Sequence, residues 1–276
     1  MSQSSLILRL NELPRIQKVL QELLDMVNQD EVSFEQISEK IAMDQVLSAR
    51  LLRMANSAYF GGSKTISSVN DALLRVGTGP VKTLVVASVL SSAFPKIKTL
   101  DMNRYWEDTF EVSVISSKLA SASGLDENEV FTAGLLHNIG ELMIHALVPE
   151  EAEEITRRVE KGADPIATQE EILDISAPSL GAKLARAWKF PDEMIDAIEH
   201  YNEPREADIS PTLATTIHLA RAIHQDWDAL GDNALKAIYL SEHPDSRLLC
   251  LSSQFSEIID KYRGTGRELA SQMIAA

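Results

Sequence analysis

Apolar residues recur every three or four positions along most of this chain, and that period confines it to helices. Leu13, Ile16, Leu20, Leu23, Leu24 and Val27 mark one such stripe, the spacing that lines up side chains on a single helical face. Ser33 with Gln36 has the form of a capping box ahead of Phe34, Ile37 and Ile41, in which side chains satisfy the first unpaired N–H groups. Asp44 is placed to cap the next helix, through Leu47, Leu51 and Met54 to Ala55. After the turn-rich Gly61 to Thr65, helices are predicted over Val69 to Val76 and Pro80 to Phe94; a proline costs little in a first turn. A long helix follows from Asn103 to Ser123, stopped by Gly124, which tolerates the left-handed conformation. Asp126 with Glu129 opens the helix carrying His137, and Asp164-Pro165 and Ser210-Pro211 each set a capping oxygen before a proline. Pro178 and Pro191 also stand near helix starts. No alternating run is long enough for a sheet and no repeat has a fixed period. The predicted fold is all-α, a multi-helix bundle.

Composition narrows what such a bundle can do. With 276 residues the chain has room for one large or two modest domains. A net charge of −15 without a dense Lys/Arg cluster repels a phosphate backbone and argues against nucleic acid as a partner. The single cysteine, Cys250, cannot form an internal disulfide; it reads as a small apolar filler in a reducing compartment. No secretory leader is visible before the first amphipathic stripe. The longest apolar run, Val81 to Leu90, is interrupted by Lys82, Thr83 and Ser88, so it suits a buried helix and is too short for a bilayer. The expectation is a cytoplasmic protein without a membrane partner.

One segment carries chemistry. Gly134-Leu135-Leu136-His137-Asn138-Ile139-Gly140-Glu141-Leu142 has the shape of a phosphohydrolase metal-binding helix whose carboxylate has been replaced. A His-Asp pair can hold a divalent cation, because imidazole and carboxylate are both good ligands. His137-Asn138 keeps the shape and gives up the charge.

Leu51-Leu52-Arg53-Met54-Ala55-Asn56-Ser57-Ala58-Tyr59-Phe60-Gly61 and Ile66-Ser67-Ser68-Val69-Asn70-Asp71-Ala72-Leu73-Leu74-Arg75-Val76-Gly77 closely resemble the N-terminal half of bacterial HDOD domains. Ala133 to Gly140, Leu180 to Ala185, Trp188 to Pro191 and Ala197 to His200 resemble the HD-related half of that family. The similarity spans about the first 225 residues. It implies an all-helical module related to HD phosphohydrolases, found chiefly in bacterial signalling and regulatory proteins, many without a complete metal site. It divides the chain into an N-terminal helical subdomain over 1–95, a degenerate HD-like subdomain over 96–225, and a C-terminal helical extension over 226–276. Pro95 to Asp101 forms the joint.

Aligned with HD hydrolases, the vestigial site comprises Asp108, His137, Asn138, Ala177, His200 and Arg221. Asp108 stands at the first histidine, Ala177 at a further histidine, His200-Tyr201 at the double-histidine region and Arg221 at the last aspartate. Asn138 is a weak ligand for a divalent ion and Ala177 offers no ligand atom. Arg221 puts a permanent positive charge where the cation would sit. At an intermediate dielectric that repulsion is about 4 kcal/mol, roughly a thousandfold in affinity. The resemblance therefore implies neither a metal nor another cofactor, and no catalytic residue. It further predicts an ion pair between Asp108 and Arg221 across the vacated site, since the two positions approach one metal in HD enzymes.

The remaining features have plainer readings. His145, two turns beyond His137, suits packing better than ligation, and His200 could line the old cavity. His218 and His224 share the helix of Arg221, and His243 precedes Pro244 as a helix-start residue; a zinc site from four of these would need tetrahedral convergence. Glu141 reads as a solvated helix residue, and Glu150 to Arg158 as a solvated charged face. No nucleophile elbow, phosphate loop or dinucleotide fingerprint is present. The function expected is a non-catalytic bacterial signalling or regulatory module that binds a protein partner, with room for a small anion near Arg221. Its alternative is a metal-dependent phosphohydrolase acting on a nucleotide or phosphodiester. The turn at Tyr59 and Phe60 is the expected contact region, and the helices from Arg247 to Tyr262 could cap the bundle or support a homo-oligomer.

Overall fold

Side-chain caps start most of the helices where local sequence places them. The computed structural model describes residues 18–27, 33–57, 59–60, 65–94, 97–252 and 254–274. Among these residues every regular element is helical. Leu13, Ile16, Ala58, the glycines at 61 and 62, and Pro95 of the predicted joint lie outside them.

The N-terminal half contains α1 (Lys18–Val27), α2 (Phe34–Ala42), α3 (Gln45–Ala55), α4 (Val69–Val76) and α5 (Thr78–Ala93). Ser33 Oγ accepts from the Gln36 N–H, and Asp44 Oδ1 accepts from Val46 and Leu47, as the sequence predicts. Each bond satisfies a donor that the first helical turn leaves unpaired. α5, the apolar run around Val81 to Leu90, is buried on nearly all sides.

The second half is built on the 22-residue α6 (Met102–Ser123). Gly124, at φ 71°, ends it in the left-handed conformation. α6 packs against α7 (Glu127–Leu136), α13 (Pro211–Asp226) and α17 (Thr265–Ile274). Between them run α8 (Ile139–Leu147), α9 (Pro149–Val159), α10 (Pro165–Leu173), α11 (Ala177–Ala187) and α12 (Asp192–His200). Asp126 and Asp164 cap α7 and α10 as expected. Ser210 does not cap α13; instead Asp196 Oδ2 accepts from the Ile209 and Ser210 N–H groups at 2.9 and 2.7 Å. The helix predicted to run through His137 is two helices, broken by a turn at His137–Asn138. Together, Glu127–Leu147 is long and apolar enough to cross a bilayer, but most of it is buried within the bundle.

α14 (Asn233–Glu242), α15 (Pro244–Leu248) and α16 (Phe255–Tyr262) enclose a second, smaller core against α6 and α13. Trp227 is fully buried at its centre, and its Nε1–H donates to Asp260 Oδ1 at 2.8 Å. His243 starts α15 as predicted, its Nδ1 accepting from the Asp245 N–H. Cys250 is exposed with φ 55°, so the reading of it as packed filler is corrected: the chain turns left-handed there after α15.

α17 lies across both halves, on α6, α3 and α5. The buried Glu111 carboxylate of α6 sets its entry, accepting from Gly264 N–H at 2.7 Å and Gly266 N–H at 3.0 Å. At Gly266 a Cβ would come within 2.4 Å of the Glu111 backbone, so a glycine is what permits this approach.

Candidate functional site

Three elements converge on one cavity. The His137–Asn138 turn forms its floor, α6 supplies Tyr105 and Asp108, and α13 supplies Arg221 and His224. The cavity holds about 650 Å³, and Glu141, Arg104, Arg263 and Arg267 also line it. The close passage of α8 over α11 fixes the turn: at Gly140 a Cβ would lie 1.8 Å from the Ala177 carbonyl oxygen.

His137 is 3% exposed. Its Nδ1 donates to the Gly134 carbonyl at 2.5 Å and its ring meets the edge of Tyr201. Burial, aided by the positive charge of Arg221, pushes its pKa down to about 3. Asn138 is fully committed to α6: its Oδ1 accepts from the Tyr105 hydroxyl at 3.0 Å and its Nδ2 donates to Thr109 Oγ1 at 2.8 Å. Burial holds the Tyr105 phenol well above its ordinary pKa, so it remains a donor.

The predicted Asp108–Arg221 ion pair is not formed, although both residues line this cavity. Arg221 donates to Asn202 Oδ1 and stacks over the Tyr201 ring at 4.7 Å. Among the described residues no carboxylate comes within ion-pairing distance of it. Asp108 instead takes His224 Nε2 at 3.1 Å and Arg104 Nε at 3.6 Å. Arg263 Nη1 donates to His224 Nδ1 at 2.9 Å, which leaves the ring hydrogen on Nε2 to face Asp108. Arg263 also reaches Asp228 at 3.0 Å and Glu111 at 3.5 Å. Asp108 thus found its counter-charge on its own helix and, through His224, in the C-terminal segment.

Glu141 is exposed to solvent, in keeping with its reading as a solvated helix residue, and it lines the cavity. Its carboxyl pKa is raised, chiefly by desolvation, with Arg221 opposing and Asp108 adding to the shift.

A neighbouring cavity of about 790 Å³ shares Glu141 and Arg221 and contains the other two sites predicted by alignment, Ala177 and His200. The Ala177 N–H donates to Gln169 Oε1 at 2.7 Å. His200 Nδ1 lies 3.1 Å from Asp196 Oδ1. The six positions therefore split between two adjoining cavities, with Arg221 at the divide. Among the described residues, no three His, Cys, Asp or Glu side chains are grouped to hold a metal ion. Asn138 is consumed by two hydrogen bonds and a guanidinium fills the cavity wall, so these residues do not fit a divalent metal centre.

Elsewhere, His145 packs with its Nδ1 2.9 Å from Thr99 Oγ1, and His218 Nδ1 faces Asp245 Oδ2. Tyr59 and Phe60 are half-buried rather than an exposed contact turn. Tyr59 packs edge-on against Phe60 and Tyr262 and lies under the Lys118 ammonium. Sequence reasoning missed Arg263 and Glu111 and, for His224, the contact with Asp108. Spacing carries no signal for them, because each acts on a residue far away in the chain.

Comparison with known proteins places this geometry. The HDOD domain matches residues 13–204. A solved structure from Shewanella amazonensis SB2B, provisionally named a phosphohydrolase, is 35% identical, with 97% of each chain covered and a TM-score of 0.87. An HDOD domain protein of unknown function from Geobacter sulfurreducens shares the fold at 18% identity and TM-score 0.80, over 99% of this chain and 98% of that one. A protein from Marinobacter aquaeolei VT8, provisionally named a signal transduction protein, does so at 22% identity and TM-score 0.75, over 95% of this chain and 60% of that one. An uncharacterized protein of Treponema pallidum (strain Nichols) is 27% identical over 221 residues, and the match spans 77% of this chain and 42% of that protein. With a match over most of its length and a bundle shared with these structures, the chain belongs to the HDOD domain family.

Proposed function

We propose that this chain is a non-catalytic signal-transduction module that works in the bacterial cytoplasm by binding a signalling protein, and that the cavity at His137 and Arg221 takes a small anion. The observation that carries this reading is the state of Arg221, which lines this cavity and whose own partners, the Asn202 amide and the Tyr201 ring, are neutral and line the adjoining cavity. An arginine without a carboxylate partner attracts anions. The same charge would repel a divalent cation by about 4 kcal/mol at an intermediate dielectric. Asn138, the would-be metal ligand, is spent on Tyr105 and Thr109. The net charge of −15 weighs against a nucleic-acid partner.

Two measurements test this reading. The purified protein should carry no stoichiometric metal by elemental analysis, and MgCl2, MnCl2 or ZnCl2 should leave its melting temperature unchanged. Sodium phosphate should raise it, because a ligand stabilises the state it binds, and Arg221→Met should remove the rise. The name of the 35%-identical Shewanella relative favours a second reading, a metal-dependent phosphohydrolase acting on a nucleotide or phosphodiester. Stoichiometric metal together with turnover of bis(p-nitrophenyl) phosphate would put that reading first.

A further inference from the structure

We infer that the cavity selects an oxyanion that carries its own hydroxyl or N–H donor, with Arg221 holding the anionic end and His137 Nε2 accepting from the donor. This rests on the reading of the cavity as an anion site and names the ligand's chemistry.

His137 decides the second requirement. A backbone carbonyl can only accept, so the bond from Nδ1 to Gly134 places the ring hydrogen on Nδ1. Nε2 is then a bare lone pair. Among the described residues nothing donates to it, and it keeps contact with the cavity that His137 lines. The residue is 3% exposed, so the cavity is the route by which a donor reaches this lone pair. A sulfate ion, which carries no proton near neutral pH, would satisfy Arg221 but turn oxygen lone pairs toward Nε2. A ligand with an O–H or N–H beside its charge satisfies both.

The surroundings favour the same chemistry. Glu141 borders the cavity as a further acceptor, and Asp108 is engaged by His224 and Arg104. A space of about 650 Å³ is far more than a bare inorganic anion fills and falls within the ordinary range of small-molecule sites, about 300–1,000 Å³. Hydroxylated phosphate esters and hydroxycarboxylates share this chemistry.

Isothermal titration of the full chain with ribose 5-phosphate, tartrate, sulfate and ribose separates them. Ribose 5-phosphate or tartrate, whichever source is right, should bind at least tenfold more tightly than sulfate, and ribose should not bind. His137→Asn keeps an amide N–H near the Nδ1 position and deletes the Nε2 acceptor. It should erase the tenfold preference over sulfate. His137→Gln places an acceptor near the Nε2 position and should retain the preference.

Equal binding of sulfate and the hydroxylated anions by the wild-type chain overturns the inference and leaves the anion-site reading standing. A folded His137→Asn that keeps the full preference does the same. If none of the four probes binds, both fall. Should His137→Asn fail to fold, the wild-type comparison and His137→Gln still decide.

Discussion

At Asn138 the amide has a donor group, its Nδ2, that a carboxylate lacks, and the structure uses it on Thr109 Oγ1. The Thr109 hydroxyl is itself donated to the Tyr105 carbonyl at 2.6 Å, so a carboxylate at 138 would face an oxygen with no hydrogen to offer. Asn138→Asp, which restores the residue of a metal-binding pair, should therefore destabilise the fold by about 1–3 kcal/mol. Added MnCl2 should not restore the loss, with urea denaturation as the readout. His137 gives a pH prediction. Its pKa is 6.5 in the unfolded chain and about 3 in the fold, so between these values only the unfolded chain takes up the proton. Its contribution is intact above pH 6.5 and is lost as pH falls toward 3, by at most about 1.4 kcal/mol per pH unit. Urea midpoints of His137→Asn should decline less steeply than wild type over that window. The sequence was enough to bring Asp108, His137, Asn138 and Arg221 to one cavity, because each stands in a recognisable motif. It did not reveal the pairing: Asn202 engages Arg221, and His224 and Arg104 engage Asp108, and the motifs mark none of these contacts.

Helix starts were the most legible elements, since a cap such as Asp44 or Asp126 acts on N–H groups two and three residues away. Legibility ended where a start depends on a distant side chain. Asp196 serves the N–H of Ser210 from 14 residues away, and Glu111 serves Gly266 from 155 residues away. The break at His137–Asn138 was equally hidden, because the apolar spacing continues through it. The docking of α17 yields the prediction at this scale. Glu111→Ala leaves the Gly264 and Gly266 N–H groups without their acceptor and takes a carboxylate from Arg263. It should cost roughly 3 kcal/mol, as charged hydrogen bonds are each worth about 1.5–3 kcal/mol. Gly266→Ala forces a methyl onto the Glu111 backbone and should loosen the same helix. Hydrogen exchange should report faster opening of α17 in both variants than in the second core around Trp227.

Across the whole molecule, α17 touches α3 and α5 on one side and α6 on the other, with Leu269 and Ala270 buried in the main core. The two halves should consequently melt together. A chain truncated after Arg263 should lose that cooperativity, shown by a broadened calorimetric transition and by binding of a hydrophobic dye to the uncovered groove. All-helical architecture followed from apolar period and capping, which are properties of neighbouring residues. This clamp was not legible, for its glycines lie beyond the motifs and its partner is in mid-chain. The chain order of the clamp has a consequence in the cell. Ribosomes deliver α3, α5 and α6 well before residue 264, so a nascent chain exposes an apolar trough until its clamp emerges. During synthesis that trough is a natural seat for a chaperone.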